Sequence, residues 1–169
     1  RAMKIAQSLY EGVDLGEGPV GLITYMRTDS VAIAREAQER CREWVAQAFG
    51  PEYVPDRPNV YRSRAGAQEA HEAIRPTDPF RTPEALSGKM PPEEWRLYRL
   101  IWERFVASQM APALIAQRTA EVEAERRPSS RHDFLFRAST SEVVFPGYLR
   151  VAGIPQAIAA EKPEEAPED

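Results

Sequence analysis

The apolar positions of this chain follow two different rhythms, and the change comes near residue 110. In the first part they step by threes and fours. Ala2, Ile5, Ala6, Leu9 and Tyr10 make one helical face over residues 2–11, closed by Gly12. Ala34, Ala37, Cys41, Trp44, Val45 and Ala48 predict a second helix, from about Val31 to Phe49, stopped by Gly50-Pro51. Trp95, Tyr98, Ile101, Trp102, Phe105 and Val106 predict a third, from about Pro92 to Met110, with Leu97 and Leu100 widening its apolar face. So broad a face predicts burial between layers, anchored by its two tryptophans. After Ala111 the period becomes two. Leu114, Ala116, Arg118, Ala120, Val122 and Ala124 alternate with Ile115, Gln117, Thr119, Glu121 and Glu123, a strand pattern over 114–125. Phe134–Ala138, Glu142–Phe145 and, past a bend at Pro146-Gly147, Tyr148–Val151 read as further strands of an antiparallel meander.

The connecting stretches carry the remaining signals. Val13–Pro19 is a glycine-rich link, and Val20–Tyr25 is a short β-type run. Ser30 is a good N-cap for the second helix, with Asp29 and Thr28 nearly as suitable. Pro51–Pro58 is a loop, followed by a brief extended piece at Val60–Arg62. Glu69–Ile74 predicts one or two helical turns ended by Pro76, and Thr82-Pro83-Glu84 predicts a short helix ended by Gly88. The fold class expected is α+β. Residues 1–110 form a mostly helical domain around one short strand, 111–155 an antiparallel β segment, and 156–169 an acidic tail too poor in apolar residues to order itself.

Composition narrows the function classes. The 169 residues are 43% hydrophobic and 28% charged, enough for one domain or one domain plus part of another. The chain opens at Arg1 inside a helical pattern, which reads as a segment of a longer protein. No run is long and apolar enough for a membrane span, and no secretory signal is present. A single cysteine, Cys41, excludes an intrachain disulfide framework, and its place on an apolar stripe predicts a buried, inert thiol in an intracellular protein. The net charge of −4 resides in the tail, where five acids face Lys162 across residues 161–169. The body is neutral, so any phosphate affinity must come from local arginine placement.

The chemistry centres on Gly21-Leu22-Ile23-Thr24-Tyr25-Met26-Arg27-Thr28-Asp29-Ser30. Extended through Arg27, this run puts Tyr25 and Arg27 on one face about 6 to 7 Å apart, within reach of one phosphate. The helix start beyond it favours an anion. A phenol titrates near pH 10, so a tyrosine nucleophile needs help, and a neighbouring cation supplies it by stabilising the phosphoryl oxygens. Spacing alone favours the plainer reading, a buried strand whose tyrosine packs and whose arginine pairs with a surface acid.

The whole decapeptide closely resembles the active-site segment of bacterial type IA DNA topoisomerases. Ala67-Gln68-Glu69-Ala70-His71-Glu72-Ala73-Ile74-Arg75-Pro76-Thr77-Asp78 resembles that family's histidine motif, and Phe145-Pro146-Gly147-Tyr148 a later strand signature. The matches come in the family's order and cover most of residues 2–153. The resemblance implies that Tyr25 attacks one DNA strand and holds its 5′ end as a phosphotyrosine, with Arg27 stabilising the phosphate. It places His71 beside that tyrosine, able to donate a hydrogen bond or a charge near neutral pH. Arg62 and Arg64 resemble a strip tracking a strand backbone, with a solvated loop as the alternative, and Thr24 and Thr28 could donate hydroxyl hydrogen bonds to phosphate. Arg75 either pairs with Glu72 or contacts DNA. The implied substrate is a single-stranded segment of negatively supercoiled DNA, relaxed without ATP, in the bacterial cytoplasm. The implied partners are the enzyme's other domains, including an N-terminal domain that holds Mg²⁺. No acidic cluster in an ordered context here matches that metal site, so the chain alone is expected to be inactive. The β segment is expected to belong to the family's arch-like domain. Within the family, the long histidine string and Phe-Pro-Gly-Tyr favour the topoisomerase I branch over topoisomerase III or reverse gyrase. The rival from another class is a non-catalytic single-strand-binding module.

Overall fold

The computed structural model describes residues 1–16, 18–61, 72–124, 134–155 and 158. They fall into two compact units, Arg1–Pro112 and Ala113–Asp169. The class is α+β, as the two rhythms require.

In the first unit, helix α1 (Ala2–Glu11) ends at Gly12, whose N–H bonds the Ser8 carbonyl at 3.0 Å. The glycine-rich link is a small antiparallel ribbon of β1 (Val13–Asp14) and β2 (Pro19–Val20). Helix α2 (Arg35–Phe49) runs into a 3-10 turn at Pro51–Tyr53, and helix α3 (Pro92–Ser108) follows. The core gathers Leu9, Leu22, Ile23, Cys41, Val45, Tyr98, Trp102, Phe105 and Val106. Trp44 meets Trp102 edge to face at 4.8 Å, joining α2 to α3. Leu100, by contrast, is exposed, so only one side of the wide apolar face on α3 is covered.

Three aromatics of α3 also carry polar tips, and burial obliges those tips to find acceptors. Trp95 Nε1 donates to the Pro83 carbonyl at 2.7 Å, Tyr98 Oη to Arg81 at 2.5 Å, and Trp102 Nε1 to Pro79 at 2.9 Å. Helix spacing of three and four thus meets a partner spacing of two along 79–83. At the C-terminal end of α3, Asn59 Nδ2 donates to the Ser108 and Met110 carbonyls at 2.9 and 3.1 Å, and Tyr61 Oη to Ser108 at 2.8 Å. These side chains satisfy carbonyls that a helix end leaves without partners.

Several local expectations give way. Residues 31–34 are not helical; α2 starts at Arg35, and Ser30 Oγ accepts from the Ala32 N–H in a local turn. Residues 82–88 make successive turns, not a helix, although Thr82 Oγ1 does accept the Ala85 N–H at 3.3 Å. Arg40 lies over the Phe80 ring at 3.9 Å, and Arg42 Nη1 is enclosed without a hydrogen-bond partner.

The second unit is one long hairpin of β3 (Leu114–Ala124) and β4 (Phe134–Phe145), with Val144 left over at a bulge beside Leu114/Ile115. The polar Ser139-Thr140-Ser141, expected to interrupt the second strand, stays in register. Thr119 and Ser139 hydroxyls pair at 3.0 Å, and Arg137 donates to Glu121 at 2.7 Å. The expected strand at Tyr148–Val151 is instead a single helical turn, α4 (Leu149–Ala152), started by the Pro146-Gly147 bend, where Gly147 takes φ 48°. The meander therefore has two strands among the described residues. Leu114, Val122, Phe134, Leu135, Phe136 and Val144 are all exposed on them.

Candidate functional site

The run Gly21–Thr24 is held on both sides. Toward α1, the Leu22 N–H donates to the Leu9 carbonyl at 2.8 Å, filling an acceptor in the last turn of the helix. The approach is so close that a Cβ on Gly21 would stand 2.8 Å from the Tyr10 carbonyl oxygen, and only glycine fits. Toward the other side, Thr24 N–H donates to Arg75 at 2.9 Å and Thr77 N–H to Leu22 at 3.0 Å, with Ile23 bridged antiparallel to Pro76. Thr77 Oγ1 adds a bond to the Gly21 carbonyl at 2.8 Å. Leu22 and Ile23 are fully buried, whereas Tyr25, at the end of this clamped run, is 54% exposed.

Beyond Thr24 the backbone does not remain extended. The Arg27 N–H donates to the Tyr25 carbonyl at 3.1 Å, a tight turn about Met26. Tyr25 and Arg27 therefore do not share a face as alternate strand residues. They meet in a different way, on the wall of one cleft of about 470 Å³ lined also by Tyr10, Ile23, Thr24, Glu72 and Thr77. The Tyr10 ring stands edge-on to Tyr25 at 5.3 Å, fixing one side of the phenol.

The remaining candidates divide. Thr24 lines the cleft, but its hydroxyl donates to the Ala73 carbonyl at 2.7 Å and accepts the Arg75 N–H at 3.0 Å. Arg75 is only 13% exposed in its side chain. Its Nε and Nη2 hold the two Glu72 oxygens at 2.8 and 3.1 Å, and Nη1 reaches the Pro76 carbonyl at 3.0 Å. Thr28 is exposed and does not line the cleft. His71, Arg62 and Arg64 lie outside the described residues, as do residues 69–71 of the predicted turn at 69–74; Glu72–Ile74 are not helical.

Glu72 Oε1 also accepts the Ala34 N–H at 2.8 Å, at the entrance to α2. The anion that a helix start favours is thus an internal carboxylate. Burial opposes ionisation of Glu72, but the Arg75 and Ala34 hydrogen bonds and the Arg75 charge outweigh it, and its pKa lies below the ordinary value. Tyr10, Glu72 and Thr77 are cleft residues without a local sequence signal. Tyr10 reads as part of the helix stripe, Thr77 as the residue after a proline, and Glu72 only as an arginine partner.

The described residues of the cleft do not fit a divalent cation. Among them Glu72 is the one carboxylate, both its oxygens are spent on N–H donors, and a guanidinium lies alongside. Among the described residues there is no group of three or more metal-ligating side chains, and no helix is long and apolar enough to cross a membrane. What the cleft presents is a half-exposed phenol beside a guanidinium, on a backbone clamped at one end.

Comparison with known proteins gives this arrangement its context. A family model described as DNA topoisomerase matches residues 1–168. DNA topoisomerase 1 of Xylella fastidiosa (strain Temecula1) is 46% identical over 153 residues, which cover 89% of this chain and 18% of the relative. DNA topoisomerase 1 of Helicobacter pylori (strain 26695) is 46% identical over 154 residues, covering 90% and 20%. The structure of full-length topoisomerase I from Thermotoga maritima is similar over 98% of this chain and 25% of that one, with a TM-score of 0.74 and 36% identity. The chain thus spans about a fifth of the length of such relatives. Matched along nearly its whole length, it belongs to the DNA topoisomerase family.

Proposed function

We propose that this chain is the nucleophile-bearing part of a type IA DNA topoisomerase, and that Tyr25 is the nucleophile. The observation that carries the reading is the contrast between a clamped Gly21–Thr24 backbone and a half-exposed Tyr25 ring beside Arg27. A packing tyrosine would be buried where the run is anchored. This one is presented.

In the proposed reaction the Tyr25 phenolic oxygen attacks a backbone phosphorus of one DNA strand. The phosphorus–O3′ bond breaks as the tyrosine–phosphorus bond forms, leaving a 5′-phosphotyrosine and a free 3′-hydroxyl. The phenol loses its proton and the departing 3′ oxygen gains one. One phosphoester is exchanged for another, so religation by the 3′-hydroxyl reverses the step without ATP. Arg27 stabilises the charge on the phosphoryl oxygens, and His71 assists at the same phosphate. Tyr10 limits the phenol's motion, which favours a productive angle of attack. Thr28, Arg62 and Arg64 position the strand through its phosphates.

The substrate is a single-stranded segment of negatively supercoiled DNA, in the bacterial cytoplasm and its nucleoid. Mg²⁺, in the complete enzyme, is held by residues outside this chain, which is why the 169 residues alone should not relax DNA. By the complete enzyme we mean a polypeptide carrying these residues together with that metal-binding region.

Tyr25→Phe tests the reading because it removes only the phenolic oxygen. In the complete enzyme it should abolish covalent attachment to DNA and retain non-covalent single-strand binding. A 5′-phosphotyrosine mapping to Tyr10, Tyr61 or any other tyrosine would overturn it.

A further inference from the structure

The loop that presents Tyr25 and Arg27 leaves the clamped run at Thr24 and rejoins the fold at Ala32. Both ends are tied to one residue. The Ala73 N–H donates to the Ala32 carbonyl at 2.8 Å, and the Ala73 carbonyl accepts the Thr24 hydroxyl at 2.7 Å. Ala73 thus closes the loop as a crosslink would. Its flanking residues fix it in place. Glu72 holds the Ala34 N–H just past the loop, and Arg75 holds Glu72 with a two-pronged grip while its own N–H goes to the Thr24 hydroxyl.

We propose that Glu72, Arg75 and Thr24 form a positioning brace that sets the shape of the Tyr25–Arg27 loop, and that Arg75 and Thr24 act through it and not through contact with DNA. The inference rests on Tyr25 being the nucleophile. Every donor on the brace has a geometric reason. Glu72 Oε1 takes two N–H groups and Oε2 a third, so both oxygens are committed. The Arg75 fork spans Glu72 and the Pro76 carbonyl, so each of its three nitrogens already donates a hydrogen bond within the fold. A glutamine at position 72 would turn an amide NH₂ toward one of these donors, so at least one link must break. Loosening the brace lets the loop drift, and a drift of about 1 Å at a nucleophile costs up to roughly 100-fold in rate.

The test uses the complete enzyme with a single-stranded oligonucleotide at saturating concentration. Adduct formation is followed in a single turnover, and non-covalent affinity is measured separately across salt concentrations. Glu72→Gln and Arg75→Ala should each slow adduct formation by about 10- to 100-fold at temperatures where both remain folded by circular dichroism. Their dissociation constants and salt slopes should match wild type. The double variant should be no slower than the slower single one, because both changes break the same brace.

A wild-type cleavage rate in folded Glu72→Gln overturns the proposal. So does a salt slope reduced by about 0.7 in Arg75→Ala, the mark of one lost phosphate contact to a single strand. Tyr25→Phe, assayed alongside, separates the two readings. Adduct in that variant breaks the assignment of the nucleophile, whereas adduct lost there with normal Glu72→Gln breaks only the brace.

Discussion

Gly21→Ala adds one methyl group where the run passes close against the Tyr10 backbone. Its Cβ would stand 2.8 Å from the Tyr10 carbonyl oxygen, whereas ordinary contact begins near 3.4 Å, so the run must retreat by about 0.6 Å. That retreat stretches the Leu22 to Leu9 hydrogen bond from 2.8 Å to the edge of useful length. On the far side the run is pinned by Thr77 and Arg75, and fully buried Leu22 and Ile23 leave no slack. Overpacking of about 1–3 kcal/mol plus a weakened hydrogen bond of about 1 kcal/mol gives roughly 2–4 kcal/mol. For a unit of this size that is a fall of about 8–16 °C in Tm. All three tryptophans, Trp44, Trp95 and Trp102, lie in the helical unit, so tryptophan fluorescence on heating reports that unit alone. Gly88→Ala is the control. Its Cβ meets nothing within 4 Å, but the residue has φ 75°, so only backbone strain of about 1 kcal/mol is expected. A Gly21→Ala chain melting within about 2 °C of wild type, or one more stable than Gly88→Ala, would refute the steric argument.

Two further predictions concern titratable groups. The Glu72 pKa is lowered by its Arg75 and Ala34 bonds against the opposing effect of burial, so its stabilisation is complete above the ordinary value of 4.5 and is lost as pH falls through the folded-state pKa. Urea midpoints of wild type and Glu72→Gln, measured from about pH 7 down to pH 3, should therefore converge at the acid end, and parallel curves throughout would contradict this. Burial pushes the Cys41 thiol up to about 12, so an aromatic disulfide reagent at pH 8 should label it only after unfolding, and prompt labelling of the native chain would show the thiol is accessible.

The long periodic segments were legible because their faces are buried by the fold that the period itself creates. Helices α1 and α3 and the bodies of α2 and β3 follow from spacing alone. The failures share a cause. Residues 31–34 follow Ser30, a good cap, yet Ala73 and Glu72 take the Ala32 carbonyl and Ala34 N–H and hold that stretch out of the helix. Tyr25 and Arg27 do reach one cleft, but by a turn about Met26 that no alternation predicts. At residues 139–141 cross-strand hydroxyl and register outweighed a polar run. At Leu149 the bend at Gly147 turned an apolar run into a helical turn. Local pattern loses wherever a distant backbone group supplies the deciding bond.

The pairing of Trp95, Tyr98 and Trp102 with the carbonyls of Pro83, Arg81 and Pro79 has a mechanical consequence. It works as a detent. A helix sliding along the 79–83 segment would break all three bonds together, because each donor meets a different carbonyl in one register. Small thermal displacements are therefore restored, and creep between α3 and this segment is suppressed. Load applied to residues 79–83 is transmitted to α3 as to a rigid bar, so that segment and the helix travel together.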